Sequence, residues 1–144
     1  MSGTSIHIGH GLPTTPFPKM DPEVEPYWAA GREGKLVLPY CTDCSDYFWY
    51  PRGFCPQCGG TSIEWRDSAG TGTLYSFSVP RKSFGLWKDH APFIVAWVTL
   101  DEGITLATNL MDVDLDSVEI GMKVSSVFER DNEEDAPILR FVPA

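Results

Sequence analysis

The sequence predicts a mainly β protein, in which an N-terminal arm and a short helix precede a four-cysteine module and a C-terminal barrel of five strands. Three observations indicate this order. The first 20 residues are rich in Pro, Gly and Thr, all four cysteines fall between residues 41 and 58, and strand-like apolar patterns dominate from residue 70 onward. The expected segments are an extended arm at 1–20, a helical segment at 21–36, a metal module at 37–66 and the barrel at 67–144.

Composition and charge limit the function classes. The chain carries 11 Lys/Arg against 20 Asp/Glu, a net charge of −9, and residues 101–144 hold three basic against eleven acidic side chains. An acidic surface repels phosphate backbones, so general nucleic-acid binding is disfavoured. The N-terminal stretch lacks the basic start and apolar core of a secretory signal, and no apolar run approaches the ~18–20 residues that cross a bilayer. We therefore expect a cytoplasmic protein that binds no membrane.

The stretch "VEPYWAAGREGK" predicts a short helix. Pro26 suits its first turn, where the missing N–H costs nothing, and Gly34 suits the left-handed position at its end. Gly31 weakens the helix by ~1 kcal/mol relative to Ala, so the helix needs a packing partner. Tyr27 and Trp28 are its expected buried anchors.

All four cysteines stand in the pattern C-x2-C-x10-C-x2-C, at Cys41, Cys44, Cys55 and Cys58. A two-residue gap lets a tight turn direct both sulfurs at one ion, and two such turns complete a tetrahedral shell with Zn–S near ~2.3 Å. Four thiolates leave no open coordination position, so the spacing predicts a structural metal site rather than a catalytic one. Iron in a rubredoxin-like site would use the same ligands, so zinc and iron both stay open.

Other roles for the thiols fit less well. Disulfides are typical of secreted proteins, and a thioredoxin-like redox motif would explain only two of the cysteines. With all four sulfurs committed, no thiol is left as a nucleophile. The chain also lacks G-x-S-x-G, a Gly-rich phosphate loop and H-E-x-x-H, while His7 and His10 fall in a Gly/Pro-rich tail where a solvated role is expected. The sequence therefore predicts no catalytic residue in this chain.

Five strands are predicted from residue 70 onward, in "GTGTLYSFSV", "PFIVAWVTL", "ITLATNL", "MKVSSVFE" and "APILRFV". The irregular connection "MDVDLDSVEIG" separates the third from the fourth, which matches the Greek-key plan of an OB-fold barrel. Gly70 and Gly72 would help the first strand bend.

The strand patterns also predict which side chains are buried. Alternation places Tyr75, Phe77 and Val79 on one face of the first strand, and the continuous second strand reads as buried on both faces. Core packing is expected for Trp65 and Trp97.

The motifs "REGKLVLPYCTDC", "YPRGFCPQCGG", "GTGTLYSFS", "VTLDEGITLATNL" and "IGMKVSSVF" together resemble a known family. They are similar to the zinc-ribbon (rubredoxin-like) plus OB-fold acyl-CoA-associated proteins, over roughly residues 20–142. Ser45 departs from the family, which often has Gly after the second Cys, but no ligand is lost.

The resemblance implies a role that the residues alone do not show. Members of this family are small partner subunits of thiolase-fold enzymes: thiolases, acyltransferases of the hydroxymethylglutaryl-CoA-synthase type, and aldolases that cleave acyl-CoA chains. The partner supplies the catalytic Cys or Tyr and His. The resemblance thus implies a hetero-oligomer with a structural zinc ion, with a CoA thioester bound by the complex, and with no catalytic residue in this chain.

The loop "RKSFGLWKDHAP", between the first and second barrel strands, is the first candidate binding segment. Its cations could meet CoA phosphates, and its aromatics could stack on adenine or anchor a protein interface. A solvated loop with one aromatic tucked into the barrel mouth is the alternative, and the sequence leaves both open. The candidate residues are Arg81, Lys82, Phe84, Trp87, Lys88 and His90.

Aromatics in the helix and the metal module form the second candidate set. A small metal module cannot bury many large rings internally, so some should pack on the barrel or on a partner. The candidate partner-interface residues are Tyr27, Trp28, Phe48, Trp49, Tyr50 and Arg52.

Three functions therefore stand as hypotheses. The favoured one is a non-catalytic zinc-binding subunit of an acyl-CoA thiolase, acyltransferase or aldolase complex, which docks beside the partner's CoA site and supports its stability or substrate channel. The second is a nucleic-acid-binding ribbon/OB module, against which the net charge weighs. The third is a stand-alone acyl-CoA-binding protein, which would require the isolated chain to bind CoA.

Overall fold

The computed structural model describes residues 6–8, 12–16 and 21–144, and for 6–8 it describes the backbone only. The predicted solvated tail histidines, the His7 side chain and His10, lie outside the described residues. Within the described part of the chain, no helix is long and apolar enough to cross a membrane. The elements in chain order are β1 (Ile6–Ile8), α1 (Glu25–Arg32), β2 (Val37–Cys41), β3 (Asp46–Tyr47), β4 (Ile63–Asp67), β5 (Thr71–Ser78), β6 (Ile94–Leu100), β7 (Thr105–Leu110), β8 (Lys123–Arg130) and β9 (Ile138–Pro143), with short 3-10 turns at Gly85–His90 and Leu115–Ser117.

The C-terminal half is a closed barrel of five strands. Strands β5, β6 and β7 form an antiparallel meander, and β8 pairs antiparallel with both β5 and β9. The barrel closes where β9 meets β7 in parallel, at Leu110 and Phe141. The connection at 111–122, which carries the second 3-10 turn, lies between β7 and β8. This Greek-key order confirms the predicted OB-fold barrel.

Two predictions about barrel faces are wrong. A register irregularity between Leu74 and Ser76 buries Leu74 completely and turns Tyr75 outward, 66% exposed, so Tyr75 does not face the core. Strand β6 alternates instead of being buried on both faces, and its Trp97 is 45% exposed. An antiparallel barrel can leave its outer side open to solvent, which explains why an apolar strand still presents a ring there. Trp65, on β4, is half-buried.

The described parts of the N-terminal arm lie along the barrel. Strand β1 pairs in parallel with the end of β8, and Pro16 bridges Asp135. The Thr14 hydroxyl donates to a carboxylate oxygen of Asp131 at 2.9 Å. The arm is therefore an extra edge of the barrel over these residues.

Helix α1 confirms the predicted helix and its packing requirement. Pro26 lies in its first turn, and Gly34, with φ of 77°, follows its end. A Cβ at Gly31 would lie 3.2 Å from ring atoms of both Phe128 and Pro137. The glycine thus lets the helix backbone approach the barrel closely, which offsets its low helix propensity.

The metal module and the barrel share one hydrophobic core. The module is a three-stranded sheet in the order β3-β2-β4, and Leu38 of β2, with the preceding Leu36, is fully buried among barrel side chains such as Val98. The Glu102 carboxylate, on the β6–β7 turn, accepts hydrogen bonds from the Ser68 hydroxyl at 2.8 Å and from a backbone N–H at 2.9 Å. The hydrophobic core thus runs without a break from the metal module into the barrel. The division of the chain into four segments stays a prediction.

Gly72 gives a direct test of barrel packing. A Cβ there would lie 2.6 Å from the Thr99 carbonyl oxygen and 2.9 Å from a methyl group of Val98. We expect Gly72→Ala to lower the free energy of unfolding by ~1–3 kcal/mol, because β5 and β6 must move apart. Ser78→Ala, at an exposed position of the same strand, should change it by less than ~0.5 kcal/mol. Urea denaturation measures both, and equal midpoints for the two variants would contradict the close strand approach.

Candidate metal centre and binding face

The four cysteine sulfurs form one cluster. All four Sγ atoms lie within 4.8 Å of one another, with 3.7 Å between Cys41 and Cys58 and 3.8 Å between Cys44 and Cys55. Four sulfurs at ~2.3 Å from one tetrahedral metal ion would lie about 3.8 Å apart, so the cluster fits such an ion. The cysteines are not disulfide-bonded, since a disulfide would need S–S near ~2.05 Å.

Two similar turns hold the sulfurs. The residue after the second cysteine of each pair adopts a left-handed backbone, Ser45 with φ of 54° and Gly59 with φ of 73°. Backbone N–H groups donate to sulfur at 3.4 Å in both turns, from Cys44 to Cys41 and from Gln57 to Cys55. Glycine suits the left-handed position best. Ser45 therefore keeps the turn in a backbone conformation that is less favourable for serine.

The pKa values of the thiols in the cluster are shifted in opposite directions. Backbone N–H groups, chiefly that of Cys58, lower the pKa of the Cys55 thiol to about 7. Hydrogen bonds with the sulfurs of Cys58 and Cys55 raise the pKa of Cys44 to about 12. A bound metal ion replaces the protons that such crowded sulfurs would otherwise share.

Protein covers two of the four cysteines, whereas Cys44 is half-buried and Cys58 is exposed. Cys41 is 0% and Cys55 is 2% exposed, and Phe48, 5% exposed, packs against both. Phe48 is therefore wrong as a partner-interface residue, because its ring fills the interior of the metal module. Four sulfur ligands would leave a bound metal ion no open coordination position, which is the arrangement of a structural site.

The β5–β6 loop presents some of its predicted residues and buries others in part. Phe84 is 86% exposed, whereas the Trp87 ring packs against Phe93 with 4.6 Å between ring centroids. The cations Arg81, Lys82 and Lys88 are exposed. One aromatic, Trp87, packs against Phe93 and another, Phe84, is exposed, so both interpretations of the loop stay predictions. The sequence missed Leu86, which is 75% exposed beside Trp87.

His90 has a defined orientation at the end of the loop. Its Nδ1 lies 3.1 Å from the Leu86 carbonyl oxygen, and a carbonyl can only accept, so Nδ1 carries the proton. In the neutral imidazole Nε2 is then an acceptor. The ring borders a cavity of about 240 Å³, which Met111 and Val113 also line.

An apolar groove of about 400 Å³ lies where α1, the metal module and the barrel meet. The rings of Tyr27 and Trp49 meet edge to face at 5.7 Å, and burial raises the pKa of Tyr27. Tyr50, at the rim, is 54% exposed, and its carbonyl accepts a hydrogen bond from Arg52 at 3.2 Å. Every lining side chain is uncharged: Val24, Tyr27, Trp28, Trp49, Tyr50, Pro51, Leu106, Ala107, Ile138 and Leu139.

The groove continues to the β5–β6 loop. A second cavity of about 460 Å³ is lined by Trp87 and by three residues of the groove, Ala107, Ile138 and Leu139. Trp87 of the loop set thus lies on the same surface as the groove that holds four residues of the helix and module set, and we call this surface the aromatic face. Its exposed Trp97 stands beside Ala107 in the β6–β7 register.

Sequence reasoning missed the barrel residues that connect the two sets. In the sequence, Ala107, Ile138 and Leu139 occupy ordinary strand positions. Only the folded barrel places them between the groove and Trp87 of the candidate loop. Arg140 carried a signal that was not used: it is a charge inside the apolar run "ILRFV". It is buried, and it lines the cavity beside Trp87.

Comparisons with known proteins match this architecture. Residues 28–64 match the family described as "ChsH2, rubredoxin-like zinc ribbon domain", and residues 65–129 match "ChsH2, C-terminal OB-fold domain". A solved structure described as "Ltp2-ChsH2(DUF35) aldolase" superposes with a TM-score of 0.72 at 30% identity, over 88% of this chain and 98% of that one.

Two curated relatives agree. A DUF35 domain-containing scaffold protein of Methanothermobacter thermautotrophicus is 37% identical over 95 residues, which are 65% of this chain and 71% of that protein. A probable enoyl-CoA hydratase alpha subunit of Thermomonospora curvata is 33% identical over 130 residues, which are 87% of this chain. The chain spans only 39% of that subunit's length. The fold, the four-cysteine cluster and these matches show that the chain belongs to the DUF35 family of scaffold proteins, with a ChsH2-type zinc ribbon and OB-fold domain.

Proposed function

We propose that the chain is a non-catalytic, zinc-binding accessory subunit of a thiolase-fold enzyme that acts on acyl-CoA, as a thiolase, acyltransferase or retro-aldolase. The observation that carries the proposal is the aromatic face, a surface that runs from the metal module to the β5–β6 loop and whose groove is lined by uncharged side chains. All four cysteines of the chain lie in the cluster, so a bound metal ion would leave no free thiol for catalysis. The similarity to a chain of an aldolase structure supports a partner of this class.

The partner subunit would pack on the apolar groove. Interface centres are depleted in charge and rich in aromatics, and Trp and Tyr supply many of the side chains that dominate binding energy. Trp28, Trp49 and Tyr50 are the groove's anchors for such contacts. Packed in this way, the subunit would stabilise the partner and form one wall of its substrate channel.

The CoA thioester would lie at the loop end of the aromatic face. Arg81, Lys82 and Lys88 are exposed there and match the phosphate and diphosphate charges of CoA. Phe84 is exposed beside them and can stack on adenine or on the partner. The cations are exposed to solvent, where the high dielectric constant weakens charge pairs. We therefore expect weak CoA binding until the partner completes the site.

Zinc is the metal we propose for the cluster, held by Cys41, Cys44, Cys55 and Cys58. When bound, it cross-links the two turns and contributes to folding rather than to chemistry. The reduced thiols that this site needs are typical of the cytoplasm, where we place the protein.

The experiment that tests the proposal is purification of the tagged chain from its native cells, with identification of copurified proteins and assay for thiolytic or retro-aldol cleavage of acyl-CoA. We expect a thiolase-fold subunit and acyl-CoA cleavage in the same fraction. A single chain with no partner and no activity would contradict it. CoA and single-strand titrations of that chain would then decide between the stand-alone acyl-CoA and nucleic-acid alternatives.

Removal of one metal ligand should unfold the metal module. We expect Cys55→Ser to lower zinc content from one ion per chain and to cost several kcal/mol, because structural zinc contributes on the order of 10 kcal/mol in small modules. Gln57→Ala is the matched control, since Gln57 is exposed and only its backbone N–H contacts Cys55. Elemental analysis and near-UV circular dichroism measure both. A metal-free protein with a native spectrum and intact partner binding would refute the structural role.

Truncation of an exposed loop aromatic should weaken the complex without affecting the fold. We expect Phe84→Ala to lower partner affinity about tenfold or more, as for interface anchors, with an unchanged midpoint of unfolding. Ile120→Ala is the control, because Ile120 is also exposed, at 69%, and lies on the connection before β8. Calorimetric titration of the purified partner measures the affinity. Equal affinities for the two variants would exclude Phe84 from the interface.

Neutralising the loop cations should act on CoA and not on the partner. We expect the triple change R81Q/K82Q/K88Q to lower CoA affinity of the complex about tenfold at low salt, with a smaller difference at high salt, because exposed charge pairs are screened. Assembly of the complex should be unchanged. A CoA affinity that is independent of these three residues would place the phosphates elsewhere.

A further inference from the structure

Arg140, on β9, makes contacts with three other segments of the chain although it is only 5% exposed. Its Nε donates to Glu129 of β8 at 3.2 Å, and its Nη1 donates to the side-chain oxygen of Asn109 of β7 at 2.6 Å. Its Nη2 donates to the carbonyl oxygen of Pro13, in the N-terminal arm, at 2.9 Å. One guanidinium group therefore joins the arm to two strands of the barrel besides its own.

The same group contacts the β5–β6 loop. The guanidinium carbon lies 5.6 Å from the centroid of the Trp87 ring, within the distance of a cation–π interaction. Trp87, Leu86 and Arg140 together line a cavity of about 240 Å³ with Pro13 and Thr14 of the arm. The loop and the arm thus meet over Arg140.

The side chain of Asn109 is oriented for its hydrogen bond with Arg140. Its side-chain N–H donates to the Ile94 carbonyl oxygen at 2.9 Å, which fixes the amide so that its oxygen faces Arg140. Glu129 is fully buried, and its second carboxylate oxygen has no hydrogen-bond partner among the described residues. The strands of the barrel thus present two oriented acceptors to a single cation.

Strand packing alone does not explain a buried ion pair at this place. Burial lowers the pKa of Arg140, while the charge of Glu129 acts in the opposite direction. Buried ion pairs can often be replaced by apolar residues without loss of stability, so an apolar pair could hold β8 and β9 equally well. What an apolar pair cannot do is donate hydrogen bonds in several directions, as the planar guanidinium does.

We propose that Arg140 is a positioning residue that holds arm residues 12–16 and the 3-10 turn at 85–90 against the barrel, so that both present one fixed binding surface. The purpose of that surface rests on the proposed function. The ordering of the two segments does not, and it is measurable on the isolated chain.

Hydrogen–deuterium exchange of the full-length, metal-loaded chain tests the ordering. The double variant E129M/R140M removes both charges, so that neither is left buried alone. Two amides report on the segments: the N–H of Ala136 donates to Thr15 of the arm at 3.0 Å, and the N–H of Trp87 donates to Phe84 in the loop at 3.3 Å. We expect exchange at both to rise at least about tenfold, while amides of β8 and β9 keep their protection, because only the local opening equilibrium changes. Unchanged exchange in the arm and the turn would overturn the proposal.

Two further variants make the result specific. The control E64Q/R66Q neutralises an exposed ion pair of 3.0 Å on the metal module and should leave exchange in the arm and the turn unchanged. Arg140→Lys keeps the positive charge beside Glu129 but cannot donate to Asn109 and Pro13 in the same fork. We expect Arg140→Lys to be folded and intermediate in exchange, and it replaces the double variant if that one does not fold.

Partner affinity then tests whether the ordering serves binding. We expect R140K to lower the affinity for the copurified partner about three- to tenfold, in step with the exchange at Trp87. Faster exchange with unchanged affinity would overturn the role in presentation. If no partner copurifies, the proposed function fails, and the exchange experiment still decides whether Arg140 orders the two segments.

Discussion

The burial of Leu36 and Leu38 in the barrel core is the contact on which the rest of the structure depends. Full burial of a leucine side chain is worth about 1.5–3 kcal/mol, so the two together fix the metal module against the barrel. The apolar groove exists only in that arrangement, because one wall comes from α1 and the module and the other from β7 and β9. The metal cluster lies at the other end of the same strand, because Cys41 is the last residue of β2.

The four-cysteine cluster and the apolar groove are the two features on which the proposed role rests. The cluster holds the turns, and the side chains that are exposed or half-buried around the groove are aromatic or aliphatic. Charge is unevenly distributed along the chain. The chain is acidic overall, yet the β5–β6 loop carries three exposed cations, Arg81, Lys82 and Lys88. The proposed function places an anionic ligand at this loop and a protein partner on the groove, while the net charge disfavours general attraction to nucleic acid.

Local chemistry made much of the fold predictable. The spacing of Cys41, Cys44, Cys55 and Cys58 predicted the cluster, because two-residue gaps constrain the sulfurs without help from the rest of the chain. Strand periodicity and the irregular connection between the third and fourth barrel strands predicted the barrel. The faces of β5 and β6 were not predictable, since a register irregularity at Leu74 turns Tyr75 outward. Surfaces formed by distant segments were harder still: Ala107 and Arg140 gain their roles only where the arm, the loop and two strands converge.

The measurement that tests this interpretation most directly is the structure of the purified complex by electron cryo-microscopy. We predict one continuous interface in which the partner covers Trp28 and Tyr50 at the groove and Phe84 and Leu86 at the loop, with four sulfurs around a single metal ion beneath it. An interface on another side of the barrel, with the groove open to solvent, would contradict the assignment of the aromatic face.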